Sequence, residues 1–500
     1  MKKIVITMMS VIAVLTASAQ RLRVGELGSG NREALATDRD ARMTEKKGFD
    51  DLYHFIENLD VFEYGQEEAR AYYIPGHHIL LNGQWKFFYG DTPQEIPTNF
   101  FEEKFSDSKW ATIDVPSNWE MRGYGDPLFR NVAAPFQADP PMTPRDYNPT
   151  GAYRTTFTIP SDWNGEEVFL RFEKVASASF LWVNGQEVGY NEGAQEPAEY
   201  NITRYLKKGR NTLAMKVIKY SDGFYLEGQD YWRLAGIFDD VYLYATPKTR
   251  LFDWYVTTDL DKDYRDADLN IEVTVRSYDE QPVRTPLKVQ AVLTSADGKE
   301  VARLESQAAT FPTATAAVPG ASASGATAGT ATLKLNMSQH ITNPLKWTAE
   351  TPNLYELKMY LVDAATGKRL SESTPEDARQ DVGFKETEMR DNVFYLNGKP
   401  LKVNAQCSHM QDPDNGHAVT DELIKKDMTI LVAEHDISLM ARYCDLCVIM
   451  KKGELVAIGE PKKVITPELI KDVYGVEASV GIDNEGDLYV LPKRVKIEQE

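Results

Sequence analysis

The runs Val168-Phe169-Leu170-Arg171-Phe172 and Phe180-Leu181-Trp182-Val183, the pair Asn184-Gly185, and the run Glu187-Val188-Gly189-Tyr190 decide the fold of the front of this chain. Each run is short and rich in β-branched or aromatic residues, which suit a half-buried pleated surface. Asn and Gly both tolerate positive φ, as a two-residue turn between antiparallel strands requires, so the second and third runs predict a hairpin. The same rhythm of short apolar runs and turn signals extends from Trp85 to Tyr244. It predicts an all-β sandwich of jelly-roll type over 51–246.

Outward from that unit the pattern changes twice. Leu251-Phe252-Asp253-Trp254-Tyr255-Val256 opens a second β unit, and Leu269-Asn270-Ile271-Glu272-Val273-Thr274-Val275 alternates apolar and polar residues at period two. Its size fits an immunoglobulin-like sandwich over 247–385. An Ala/Thr/Gly/Ser/Pro tract at about 308–332 has almost no charged or aromatic residue, so it cannot offset its ordering entropy and is expected to be a flexible surface loop. The stretch D-N-V-F-Y-L-N-G-K-P (391–400) predicts another Asn-Gly hairpin, followed by the strand-like Leu401-Lys402-Val403-Asn404 and a helix opening in D-E-L-I-K-K-D-M (421–428). Those pieces amount to the first step of a β/α domain over 386–428. The chain as a whole is expected to be multidomain and mainly β.

Bulk properties narrow the function. The 500 residues carry a formal net charge of -19, leaving no basic stripe to displace phosphate counterions, so nucleic acid is excluded as a partner. Lys2 and Lys3, an apolar run from Ile4 to Leu15, and Ala17-Ser18-Ala19 read as a signal peptide (1–19), with the mature chain beginning at Gln20 in a secreted, periplasmic protein. That run is too short for a span of about 20 residues, so no membrane span is expected in the mature chain. Residues 20–50 are polar without periodicity and read as a loose leader, with order beginning near Leu52. The three cysteines, Cys407, Cys444 and Cys447, all lie late, so the exported part is no disulfide scaffold. Cys444 and Cys447 form a lone C-x-x-C, which reads as buried apolar cysteines rather than a zinc or redox site.

Five motifs carry a resemblance. V-P-S-N-W-E-M-R-G-Y-G-D-P-L-F (115–129), S-D-G-F-Y-L-E-G-Q-D-Y-W-R-L-A-G-I-F-D-D-V (221–241), W-T-A-E-T-P-N-L-Y (347–355), V-G-F-K (382–385) and F-Y-L-N-G-K-P (394–400) resemble, in order, the large β-galactosidases of glycoside hydrolase family 2. The resemblance covers about 51–428. It implies a sugar-binding jelly roll, an immunoglobulin-like sandwich and then a (β/α)8 barrel holding the chemistry at its C-terminal face. It also implies retaining hydrolysis of terminal β-galactosides by two carboxyl groups about 5–5.5 Å apart, with sodium and magnesium as the family's ions.

Carried over residue by residue, the resemblance assigns Asn131 in F-R-N-V to the galactose pocket. Asp230 in Q-D-Y-W-R would bind sugar hydroxyls and help ligate sodium, and His409 would stabilise the transition state. Asn131 also suits a loop cap, Asp230 an ion pair with Arg233, and His409 a packed strand end. Around His409 the sequence reads S-H-M-Q-D-P rather than R-H-E-H-x-P, which puts the neighbouring contacts in doubt. The two catalytic carboxylates belong to later barrel strands than 386–428 supplies, so no catalytic residue is assigned and 1–500 reads as a β-galactosidase-type hydrolase by descent that is inactive as written; the alternatives are a carbohydrate-binding module without turnover and a non-functional chimera. Asn191-Glu192 has the Asn-Glu form of the family's acid/base site, but it follows a jelly-roll strand, and position on a fold makes a site.

From Thr429 the text changes character. T-I-L-V-A-E-H-D-I-S-L-M-A-R-Y-C-D, V-I-M-K-K-G-E-L-V-A-I-G-E-P and T-P-E-L-I-K-D-V-Y-G-V resemble the C-terminal end of an ABC-transporter ATP-binding subunit, an α/β fragment over 429–500. The resemblance makes His435 the switch histidine, 451–454 a turn between strands and 467–474 a short helix. No G-x-x-x-x-G-K-[ST] stretch exists to cradle phosphates, so no functional ATP site is expected and His435 is an orphan. A junction near Met428 to Leu431 makes the chain read as a chimera with an ATPase tail.

Overall fold

The computed structural model describes residues 48–68, 70, 78–129, 134–227, 231–279, 282–312, 330–370, 378–401, 411–419, 447–451, 454–474, 477–482 and 488–492. They divide between two compact units, one holding 28–406 with 411–418 and the other holding 419–500. The signal peptide, most of the leader and the helix expected at 421–428 lie outside the described residues, as do Cys407 and Cys444.

The first unit begins with a β-sandwich. Its larger sheet has seven strands: Glu63–Tyr64, Gln186–Asn191, Ala178–Val183, Arg210–Ile218, Thr150–Thr158, Gly83–Gly90 and Ala111–Val115, in that spatial order. The facing sheet runs Ala198–Asn201, Glu167–Phe172, Val241–Thr246 and His78–Leu80. The predicted hairpin is present, with Asn184 at φ 50° and Gly185 at φ 80°. Period-two alternation explains the core. Leu213, Met215 and Val217 point inward with Trp85, Phe87 and Leu181 to meet Leu170, Phe172 and Leu243 of the facing sheet.

The outer face of the larger sheet is covered as well. Phe49, Phe55 and Ile56, with Ile96 and Phe100, pack on Phe180, Trp182, Ala152 and Ala214. The Phe49 ring lies 5.2 Å from both Phe180 and Trp182, and its backbone N–H donates to Glu187 Oε1 at 2.9 Å. Order therefore starts by Phe49, ahead of the expected Leu52. A single aromatic in a polar stretch carries no periodic signal, and the exposed sheet face supplies the partner.

A second sandwich follows. Thr249–Leu260, Ala267–Ser277 and Ala331–Ile341 form one sheet, and Glu300–Glu305, Leu287–Thr294, Tyr355–Asp363 and Arg379–Val382 the other. Leu269, Ile271, Val273 and Val275 meet Leu287, Val289, Ala291 and Leu293 between them. The Ala/Thr/Gly/Ser/Pro tract is tied at both ends: Ala309 exchanges two backbone hydrogen bonds with Leu287, at 2.7 and 2.9 Å, and a strand resumes at Ala331. Both tied ends fall within the 308–332 expected to be loop, and 313–329 lie outside the described residues.

The two sandwiches share a cationic-aromatic seam. Arg276 lies 3.4 Å from the Phe252 ring centroid and pairs with Glu67 at 3.0 Å, while Arg250 lies 4.5 Å from the Phe169 ring. The hairpin Val393–Leu396 with Lys399–Pro400 turns through Asn397 (φ 50°) and Gly398 (φ 74°), as its Asn-Gly predicts.

The second unit, taken by itself, has the strand pairs Cys447–Lys451 with Glu454–Gly459 and Ala478–Ile482 with Leu488–Pro492, and the helices Pro461–Val464 and Pro467–Tyr474. Ile449, Ile465, Ile470, Ala478 and Leu488 form its small core. Thr466 Oγ1 accepts the Leu469 N–H at 3.1 Å, which with Pro467 in the first turn fixes where the longer helix starts. No helix among the described residues is long and apolar enough to cross a membrane.

Candidate functional site

The V-P-S-N-W-E-M-R motif builds one wall of the candidate site. Trp119–Arg122 forms a 3-10 turn closed by Gly123 at φ 86°, a conformation that only glycine adopts without strain. Trp119 is fully buried, and Glu120 turns inward to meet Lys219 Nζ at 2.6 Å while its second oxygen accepts the Ala235 N–H at 3.0 Å. Burial pushes the Glu120 carboxyl above the usual carboxylate range, opposed by Lys219 and the Ala235 N–H. The turn is thereby stapled to the segment that follows Tyr231-Trp232-Arg233.

The other wall comes from far along the chain. Residues 411–418 form a turn on Asp412, whose Oδ1 accepts the backbone N–H groups of Asp414 (2.9 Å) and Asn415 (2.8 Å). Arg122 donates to the Asp414 carbonyl at 3.2 Å and to Asn415 Oδ1 at 3.0 Å. Asn118 Oδ1 accepts the His417 N–H at 2.8 Å, and its amide donates to the Ala235 carbonyl at 3.3 Å. Gly416 allows this approach, because a Cβ there would stand 2.8 Å from Asn118 Oδ1 and 2.6 Å from Leu234 Cδ1. The His417 ring then lies 4.8 Å from the Tyr231 ring.

Between these walls is a small cleft lined by Ser177, Glu227, Tyr231, Trp232, Arg233 and His417. Glu227 accepts the Ala194 N–H at 3.0 Å and the Ser177 hydroxyl at 3.4 Å, and burial pushes its carboxyl up to about 6. The Arg233 guanidinium sits 5.0 Å over the Phe224 ring and donates to the Glu227 carbonyl at 3.2 Å. At the rim, Trp232–Arg233 pairs antiparallel with Leu128–Phe129, and the exposed Trp232 and Phe129 rings meet edge to face at 5.6 Å. Exposed aromatic faces beside hydrogen-bonding groups match the amphipathic surface of a sugar ring.

Outside the cleft lining, the same sandwich buries a pair of carboxyls. Glu192 and Asp222 are both buried and hydrogen-bonded to each other; burial first and then Asp222 push Glu192 up to about 9, and Asp222 is raised as well. Two carboxyls so placed hold one proton between them at neutral pH. Glu192 belongs to the sandwich interior, its N–H bonded to the Phe62 carbonyl at 3.0 Å.

Asn131, Asp230, His409 and His435 all lie outside the described residues. Two of them are close in sequence to residues that meet: Phe129 precedes Asn131 by two positions, Trp232 follows Asp230 by two, and those rings touch. Among the described residues no group of three His, Cys, Asp or Glu side chains is placed to hold a metal ion. Sequence reasoning missed Glu120, Lys219, Glu227 and His417. The Trp119 motif was visible, but the pairing of its Glu120 with Lys219, two residues before the Ser221 motif, spans 99 residues and leaves no local signal.

The domain described as "Glycosyl hydrolases family 2, sugar binding domain" matches residues 79–247, and "Glycosyl hydrolases family 2" matches 249–384. The chain is 34% identical over 407 residues to a β-galactosidase of Priestia megaterium, covering 77% of this chain and 36% of that protein. It is 38% identical over 353 residues to a β-galactosidase of Photobacterium profundum, covering 70% and 32%. The chain thus spans about a third of the length of these relatives. A Bacteroides uniformis β-glucuronidase shares the fold at a TM-score of 0.55 and 24% identity, over 70% of this chain and 38% of that one. A β-glycosidase from Bacteroides vulgatus does so at a TM-score of 0.50 and 24% identity, over 70% and 39%. With two consecutive family domains across 79–384 and β-galactosidases as sequence relatives, the chain belongs to glycosyl hydrolases family 2.

Proposed function

We propose that residues 1–500 bind the terminal sugar of a β-galactoside and, as this stretch stands, do not cleave it. The observation that carries the reading is the docking of 411–418, just after His409, onto the turn Trp119–Arg122, beside the Tyr231–Arg233 segment that follows Asp230. Asn131, Asp230 and His409 are proposed as sugar contacts, with Asp230 also a sodium ligand. The names of the sequence relatives favour galactose as the sugar. Absence of turnover is proposed because the close carboxyl pair among the described residues, Glu192 with Asp222, is consumed within the sandwich. Retaining hydrolysis needs two carboxyls facing each other across a substrate.

Residues 429–500 are proposed to be an ATPase-derived segment without ATP chemistry, His435 included. Export to the periplasm with removal of 1–19 is proposed from the sequence, and intact mass of the exported chain tests it. The main experiment is calorimetric titration and thermal melting of the full chain with galactose and with glucuronate, beside an assay of nitrophenyl β-galactoside cleavage. Galactose should bind and raise Tm, Asp230→Ala should abolish binding, and no nitrophenol should appear. Nitrophenol release would overturn the claim of no turnover. Absence of galactose binding would overturn the sugar site.

A further inference from the structure

The outer face of the seven-stranded sheet is covered at one end only. There, Phe49, Phe55 and Phe100 seal it against Phe180 and Trp182. At the other end a groove of about 520 Å³ remains, between the sheet and the segment carrying Glu103, Phe105 and Asp107. That volume lies in the range of small-ligand sites. Its floor is set by register: Lys86 stands opposite Arg154, Thr156 opposite Thr212, and Thr158 opposite Arg210.

The charges in this groove run against the rest of the chain. Four cations, Lys86, Arg154, Lys207 and Arg210, line it with two carboxylates, Glu103 and Asp107, in a chain of net charge -19. Two of the cations are committed. Arg154 pairs with Asp107 at 2.9 Å and donates to the carbonyls of Phe100 and Glu102, and Lys207 pairs with Glu103. Lys86 and Arg210 have no hydrogen-bonding or ionic partner among the described residues. Threonine hydroxyls between them offer donors and acceptors to a polyol, and the half-buried Phe105 ring offers an apolar face.

We propose that this groove is a second carbohydrate site, separate from the cleft at Glu227, and that it takes an acidic oligosaccharide. Hydroxyls of the saccharide bond Thr156 and Thr212, and its anionic groups, uronate carboxylates or sulfate esters, pair with Lys86 and Arg210. A neutral glycan leaves both cations unmatched, and a polyphosphate chain lacks the hydroxyls that the threonines address.

The test is calorimetric titration of the full chain at low ionic strength with three probes: an oligogalacturonate, a sulfated galactan oligosaccharide and a neutral galactan oligosaccharide of equal length. At least one acidic probe should bind tenfold or more tightly than the neutral one, and the pair of acidic results identifies carboxylate or sulfate as the preferred group. The double variant Lys86→Gln/Arg210→Gln should lose at least tenfold in affinity with Tm unchanged, since both side chains lie on the open face. Free galactose should leave acidic-probe binding intact, which separates this site from the one in the cleft. Equal binding of all three probes, no binding of either acidic probe at millimolar concentration, or full affinity in the double variant would each overturn the proposal.

Discussion

Replacing Lys219 by Met strands the Glu120 carboxylate in the wall of the cleft. The two side chains are 6% and 0% exposed and 2.6 Å apart, so water cannot take over the lost interaction. Removing one partner of such a pair costs ~3–5 kcal/mol. In a domain the size of the 79–247 match that corresponds to about 6–20 °C in Tm, at 2–4 °C per kcal/mol. Glu120 has one escape, which is to take up a proton. Its affinity for protons is already raised by burial in the native state, and loss of Lys219 raises it further. A carboxyl whose native proton affinity exceeds its unfolded value favours folding below the unfolded pKa, and that contribution disappears as pH rises through the native value. The Lys219→Met penalty should therefore be largest near pH 8 and shrink towards pH 5. Adding Glu120→Gln, which keeps an acceptor for the Ala235 N–H without the charge, should recover at least half of the loss at pH 8. Urea unfolding of the single and double variants at both pH values measures this. A Lys219→Met penalty under about 1 kcal/mol at pH 8, or a double variant no more stable than the single, refutes the reasoning.

Two further outcomes are expected. Glu192→Gln removes the need to hold a proton beside Asp222: wild-type stability should fall as pH rises from about 4.5 towards about 9, whereas the variant should show a flatter profile and be the more stable by more than about 1 kcal/mol at pH 8, as chemical unfolding would measure. Gly416→Ala puts a Cβ against Asn118 and forces a residue at φ 66° that costs roughly 1–2 kcal/mol, so 411–418 should undock. Hydrogen exchange at the His417 amide should accelerate at least tenfold while the Tm of the whole chain moves by less than about 3 °C, because the loss is local.

Local chemistry made much of the fold legible. Asn184-Gly185 and Asn397-Gly398 turn as their positive φ values allow, and Ile271, Val273 and Val275 bury the face their alternation marks. The helix Pro467–Tyr474 spans the residues that the resemblance implied, and the Thr466 hydroxyl caps its start. Features that depend on meetings across long sequence separations were not legible. Phe49 sits alone in a polar leader, and only the bare face of Phe180 and Trp182 explains its burial. Glu120 with Lys219, Glu192 with Asp222 and Arg276 with Phe252 join residues well separated in sequence, and neither a strand's period nor a turn signal names the partner across such a gap. For the site, the motif around Trp119 was legible as text. The part played by His417 was not, because its placement depends on Gly416 fitting against Asn118.

The outer layer on the larger sheet has a practical consequence for dissecting the protein. The sugar-binding domain match starts at residue 79, yet Phe49, Phe55 and Ile56 lie before it and shield Phe180 and Trp182. A recombinant fragment cut at that family boundary would keep only Ile96, Phe100 and Phe101 as cover, thinning the layer over Phe180 and Trp182 and inviting self-association. One beginning at or before Gly48 keeps the layer intact, so the start codon chosen for such a fragment decides whether its solution behaviour reports on the domain or on an exposed interior.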